Sequence, residues 1–197
     1  MSALPTEKID AVIVGSGAAG SHFAARLAQA GKRVAILEAG PAQENKDLVS
    51  SMLWARRLKG SGAPVLETGK DTVGYGFNAG RGVGGSSMHH YAVWPRMHEN
   101  DFRVKSLYGR SRDWPIGYAD LQAYYDRVQD ECGIAGEHLM ESTRPPGAPY
   151  PMPRVPVFEQ GRIVGHGFEA MGMKVSPLPL AVTTRAFRGR PPCMWDG

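Results

Sequence analysis

Cysteine is nearly absent. Cys132 and Cys193 are the two in 197 residues, with no CxxC pair and no repeated Cys/His spacing, which excludes a disulfide framework and a zinc site of the usual spacing. Long hydrophobic runs are missing too, since nothing approaches the roughly 20 apolar residues that a membrane-crossing helix needs. The opening "MSALPTEKIDAVIVG" has no basic segment ahead of an apolar stretch and no small-residue cleavage site, so the expectation is a cytoplasmic chain. Charge of one sign does not collect anywhere. The formal net charge is +4, but acids interrupt the bases, as in "RMHENDFRVKSLYGRSRD", and the absence of a basic stripe with interleaved aromatics argues against nucleic acid as a partner.

What is present is a globular composition, 42% hydrophobic and 21% charged, which carries enough apolar material for a core. Glycine (25) and proline (15) are plentiful, so many turns and close backbone approaches are expected.

The run "IDAVIV", residues 9–14, is β-branched and apolar and predicts a strand buried on both faces. From Ala18 to Ala30 the pattern turns helical, with Phe23, Leu27 and Ala30 at helical spacing beside Ala24 and Ala28, and Gly31 as a stop. "KRVAILEAG", residues 32–40, predicts a second strand ending at Glu38. This is a βαβ unit whose strands should be parallel. Between its first strand and helix stands "GSGAAG", Gly15 to Gly20, which matches the dinucleotide fingerprint. Gly15 permits the tight turn, Gly17 lets backbone approach a pyrophosphate, and Gly20 allows close helix–sheet packing. Ser16, Ala18 and Ala19 complete the turn, whose amides and helix N-terminus face the phosphates. Glu38 stands where an acid accepts hydrogen bonds from ribose hydroxyls. With Ala39 and Gly40 after it and no arginine, a 2′-phosphate would be repelled, which leaves FAD or NAD and disfavours NADP.

Further on, Leu48, Met52, Ala55 and Leu58 suggest a helix within residues 43–59, and glycine then punctuates residues 60–87. Asp120 to Glu131 predicts an amphipathic helix with Leu121, Tyr124, Tyr125 and Val128 on one face and Gly133 closing it. "RPPGAPYPMPRVP", residues 144–156, excludes helix and makes a poor central strand. A weaker helical patch runs from Ile163 to Met171. No strong third and fourth βα pair is present, so the chain is expected to be the front part of something larger.

The second chemical motif is "GRGVGGSSMHHYAVWPR", residues 80–96. Gly84, Gly85, Ser86 and Ser87 offer a second place where bare backbone approaches a ligand and where a serine can cap a following helix. This stretch resembles the first signature of the glucose–methanol–choline (GMC) flavoprotein oxidoreductases. "HENDFRVKSLYGRSRDWPIGYADLQAYYDRVQDECGIAG" resembles the segment on the C-terminal side of that signature in the family, especially in the gluconate- and sugar-dehydrogenase-like branch. The resemblance implies an α/β fold. Its Rossmann-like FAD-binding domain would occupy residues 1–143 and be incomplete, with a Pro-rich crossing segment and the start of a substrate domain in residues 144–197. It implies FAD as cofactor, lined by Arg81, Gly85, Ser86 and Ser87. Because "MHH" departs from the family's usual aliphatic residue before an Asn or His, either His89 or His90 takes the place near the flavin ring. Trp114 and the pair Tyr124 and Tyr125 are read as packing between helix and loop.

The activity implied is oxidation of an alcohol or sugar CH–OH by hydride transfer to the flavin, aided by a base. His98, His138 and His166 lack a matching context, so no catalytic residue is assigned. The resemblance also implies an electron acceptor or cytochrome subunit as partner, and with it a periplasmic or membrane-associated location through that partner. An NAD-dependent dehydrogenase and a non-catalytic nucleotide-binding module are the competing readings.

Overall fold

The computed structural model describes residues 8–44, 66–70, 80–141 and 143–193; the helix expected within residues 43–59 lies almost wholly outside them. The described residues form two compact units, the first ending at Tyr91 and the second starting at Ala92.

The first unit opens with β1, Ala11–Val14, then α1, Ala18–Gln29, and β2, Val34–Leu37. The strands pair in parallel with Ala11 opposite Val34 and Val14 opposite Leu37, as the alternation of runs predicts. Asp10 anchors the near end of the pair. Its backbone N–H donates to the Arg33 carbonyl at 2.9 Å and its carboxylate accepts the Arg33 N–H at 2.8 Å. At the far end the Gly15 N–H donates to the Leu37 carbonyl at 2.7 Å, which carries the ladder into the turn. Alanines favour α1 intrinsically, and the chain leaves it through Gly31, with the Lys32 N–H returning to the Leu27 carbonyl at 3.0 Å.

One expectation fails. β1 is not buried on both faces, because Val12 is 58% and Val14 84% exposed; among the described residues the sheet has two strands, which cannot cover each other's faces. Phe23 on α1 is also exposed, and Ala24 carries the helix's buried contact.

The second unit contains α2 (Val104–Tyr108), α3 (Tyr118–Cys132) and α4 (Glu159–Ala170). Its core is Phe102, Tyr118, Ile134, Ala135, Met152 and Pro179. α3 starts where the Asp120 carboxylate accepts the Gly117 N–H at 2.8 Å and stops at Gly133, close to the bounds its periodicity predicts. Ala135 then exchanges hydrogen bonds with Leu180 at 2.8 and 2.9 Å while Gly136 donates to Met152 at 3.1 Å, so three distant segments lie side by side. The proline-rich stretch is irregular, as expected. Proline contributes a carbonyl but no N–H, so the segment has acceptors to spare, and side chains supply the donors. Tyr118 donates to Pro146, Arg144 to Ala148, Arg185 to Pro151 and Thr184 to Pro153, at 2.5 to 2.9 Å. The described residues contain no helix long and apolar enough to cross a membrane.

Candidate cofactor-binding site

Gly15 leaves β1 with φ +90°, a conformation that L side chains rarely adopt, and this aims the chain into α1. Gly20 lies so close that a Cβ there would run into the Gly15 carbonyl oxygen and touch Ile13 Cγ2 at 3.4 Å, which is the tight helix–strand contact expected of the third glycine. Gly17 differs from both. Its φ of −65° suits any residue and a Cβ would meet nothing within 4 Å, so the fold itself places no demand for glycine there. The open space lies at the N-terminus of α1, which has no side-chain cap and no acid in its first turn. Backbone amides and the positive end of the helix dipole therefore face a volume suited to an anion.

Glu38 follows β2 and turns back to this corner. Its Oε2 accepts the Ser16 backbone N–H at 2.8 Å and the Ser16 hydroxyl at 2.7 Å, and its Oε1 accepts the Gly40 N–H at 2.9 Å. The Ser16 N–H, then the Ser16 hydroxyl, then the Gly40 N–H hold the carboxyl down at about 2, against a small opposing effect of burial. A folded-state value below the unfolded 4.5 contributes stability that is complete above pH 4.5 and lost as pH falls toward 2. The denaturation midpoint should thus be level above about pH 5 and decline below it, and Glu38→Gln should flatten that decline; an equal decline in both proteins counts against the contact.

The second glycine-rich stretch packs onto the first. The Gly84 N–H donates to the Ser16 carbonyl at 3.1 Å, Gly17 and Gly84 form a parallel bridge, and a Cβ on Gly85 would stand 3.1 Å from Gly17 Cα. Val83 donates to the Pro41 carbonyl at 3.1 Å, and a Cβ on Gly40 would lie 2.6 Å from the Arg81 carbonyl oxygen. Three segments separated by up to seventy residues thus meet at one corner: the turn after β1, the turn after β2, and the loop from Gly80 to His89. Ser86 and Ser87 do not cap a following helix. Both lie inside a 3₁₀ turn, Gly85–His89, where Ser86 Oγ accepts the Gly80 N–H at 3.0 Å and Ser87 Oγ donates to the Gly84 carbonyl, so the serines close the loop on itself. His89 turns inward, with a buried Nδ1 that has no hydrogen-bond partner, while His90, Arg81 and Ala39 are exposed.

Residues 13–42 match the family model described as an NAD(P)-binding Rossmann-like domain. The chain is 29% identical over 212 residues to the fructose dehydrogenase large subunit of Gluconobacter japonicus, covering 95% of this chain and 39% of the relative. It is 27% identical over 143 residues to a GMC-type oxidoreductase of Aspergillus aculeatus, covering 68% of this chain and 26% of the relative. Among solved structures, pyridoxine 4-oxidase from Mesorbium loti superposes with a TM-score of 0.57 at 25% identity over 93% of this chain and 38% of that one. The chain belongs to the glucose–methanol–choline oxidoreductase family.

As a GMC-family chain it spans between about a quarter and two fifths of the length of these relatives. The Rossmann-like α/β fold expected from its first forty residues is the one it has. Sequence reasoning missed Gly40, whose missing side chain admits the Arg81 backbone, and Ser16 as the partner of Glu38. A hydroxyl residue inside the fingerprint was the one available signal for the latter.

The aromatic expectations fare unevenly in the second unit. Tyr125 stacks on Tyr118 with ring centroids 5.7 Å apart, and Trp114 meets Phe102 edge-on at 6.4 Å. Tyr124 is exposed and lines an apolar groove of about 390 Å³ with Trp94, Pro95, Leu121, Tyr125 and Val128. Cys132 and Cys193 are both free thiols, and the described residues hold no group of three or more His, Cys, Asp or Glu suited to a metal ion.

Proposed function

We propose that this chain supplies the FAD-holding portion of a flavin-dependent oxidoreductase that oxidises CH–OH groups of small alcohols or sugars. The observation that carries the reading is Gly17: the fold leaves room for a side chain there, yet the position is bare, and the second glycine loop stands against its Cα. A pyrophosphate fits that combination of uncapped amides, helix N-terminus and missing Cβ. Glu38 stands at the ribose position and the loop from Gly80 to His89 extends the site along a long cofactor. FAD, when bound, provides the acceptor for the substrate hydride. The chain's own work is to hold the phosphates by backbone amides, to orient the ribose through an ionised Glu38, and to place Arg81, Gly85, Ser86, Ser87 and one of His89 and His90 along the flavin half.

Similarity to a protein named as a large subunit supports an electron-accepting partner subunit, and residues 144–197 are proposed to lead into the substrate domain. Purified protein should carry the visible absorbance of a flavin or acquire it on incubation with FAD. Glu38→Ala should lower the flavin-to-protein ratio several-fold. Binding of NAD with no affinity for FAD would replace this reading with that of a nicotinamide-dependent dehydrogenase.

A further inference from the structure

The Glu38 carboxylate carries three hydrogen bonds from within the chain, two of them on one oxygen. A carboxylate offers about four lone-pair sites. Ser16 N–H and Ser16 Oγ–H fill Oε2, at 2.8 and 2.7 Å, and the Gly40 N–H takes one site of Oε1 at 2.9 Å. Two of these three donors are backbone amides, fixed by the two turns. The third is a hydroxyl on a single rotatable bond. Ser16 is 6% exposed, so that hydroxyl is shielded from water and Glu38 is its one hydrogen-bond acceptor here.

A ribose diol presents two O–H donors side by side, and gripping both with one carboxylate requires a free acceptor on each oxygen. Oε2 has none while Ser16 Oγ stays in place. Resting on the proposed nucleotide site, we propose that the Ser16 hydroxyl is an internal stand-in for a ribose hydroxyl, which the incoming nucleotide must displace from Glu38. Ser16 thereby satisfies Glu38 when no nucleotide is bound and weakens nucleotide binding, because the bond formed to the ribose replaces the serine's. Net affinity comes from a difference between bonds made and bonds given up.

Calorimetric titration with ADP, 2′-deoxy-ADP and 3′-deoxy-ADP tests this without any turnover. In the wild-type chain, at least one of the two deoxy analogues is expected to bind within about 3-fold of ADP, since the hydroxyl it lacks meets Oε2, where its bond only replaces the serine's. In Ser16→Ala, ADP should bind about 5- to 10-fold more tightly, one deoxy analogue should lose that gain, and the unliganded protein should melt at a lower temperature. Equal or weaker ADP binding by Ser16→Ala overturns the proposal. Should that variant fail to fold, the wild-type titrations still decide, because a penalty above about 10-fold for both deoxy analogues is incompatible with a pre-occupied Oε2. Failure of the wild-type chain to bind either ADP or FAD would defeat the nucleotide reading and this inference together, whereas ADP binding that is insensitive to Ser16 defeats the inference alone.

Discussion

Gly17→Val is expected to fold and melt as the parent does and to lose FAD affinity by a factor of about 10² or more. The two halves of that result have separate causes. Backbone at φ −65° and ψ 180° is ordinary extended chain, and the new side chain would point into open space, so the unliganded protein has no reason to change. The branched methyl groups would stand over the uncapped N-terminus of α1 and hold a pyrophosphate away from its amides. Hydrogen bonds to a charged group contribute about 1.5–3 kcal/mol each, so losing two of them corresponds to roughly 10²- to 10⁴-fold in affinity. Gly20→Val is the necessary contrast. Its Cβ would collide with the Gly15 carbonyl, which is backbone and cannot swing aside, so the corner itself should come apart, at a cost of about 3 kcal/mol or more. Fluorescence titration with FAD alongside thermal unfolding without it separates the outcomes. A Gly17→Val protein that retains flavin would remove the pyrophosphate from this turn.

The first forty residues were legible because each step is locally encoded. β-branched residues specify β1, a glycine permits the turn, alanines at helical spacing specify α1, and the observed bounds lie within about three residues of those expected. Glu38 was legible as the acid after β2, but not its bonds to Ser16, because local pattern says nothing about a contact across 22 residues. The approach of Arg81 to Gly40 is still less visible, since a glycine that accommodates another backbone looks the same in sequence as one that makes a turn. Burial of β1 was misjudged for a related reason: an apolar strand reports what it is able to pack against, and the described residues provide only β2 beside it. A serine at Ser86 or Ser87 was expected to be able to cap a following helix, whereas both lie inside a 3₁₀ turn and bond back to Gly80 and Gly84.

Arg96→Met should destabilise the second unit by about 3 kcal/mol, the low end of the range for removing one member of a buried ion pair, because the Asp126 side chain stays 25% exposed. The Arg96 side chain is 2% exposed and paired with Asp126 at 2.6 Å. Its other bonds run to Gln129 Oε1 at 2.7 Å, the Tyr118 hydroxyl at 3.0 Å and the Pro146 carbonyl at 3.4 Å, and its guanidinium lies over the Tyr125 ring. Burial alone disfavours the charge, but bonds to Tyr118 and Asp126 outweigh it, and the guanidinium is held more firmly protonated than usual. Asp126 and Gln129 stand three residues apart on α3 and so share the face that meets Arg96. The same two side chains reach the proline-rich stretch, Asp126 by accepting the Ala148 N–H at 2.8 Å and Gln129 by donating to the Ala148 and Pro149 carbonyls. Methionine matches the length of arginine but supplies no donor, so Asp126 would lose its cation and keep the Ala148 N–H, and the Gln129 oxygen would keep only the longer bond from Arg144 at 3.3 Å. Lysine keeps the charge without the planar fork and should recover part of the loss. Urea unfolding followed by tryptophan fluorescence reads the difference, and the double variant Arg96→Met with Asp126→Asn should be less destabilised than the sum of its two single variants. Additive losses would mean that Arg96 acts by filling space, and that the segment rich in proline is held by Arg144 and Tyr118 without it.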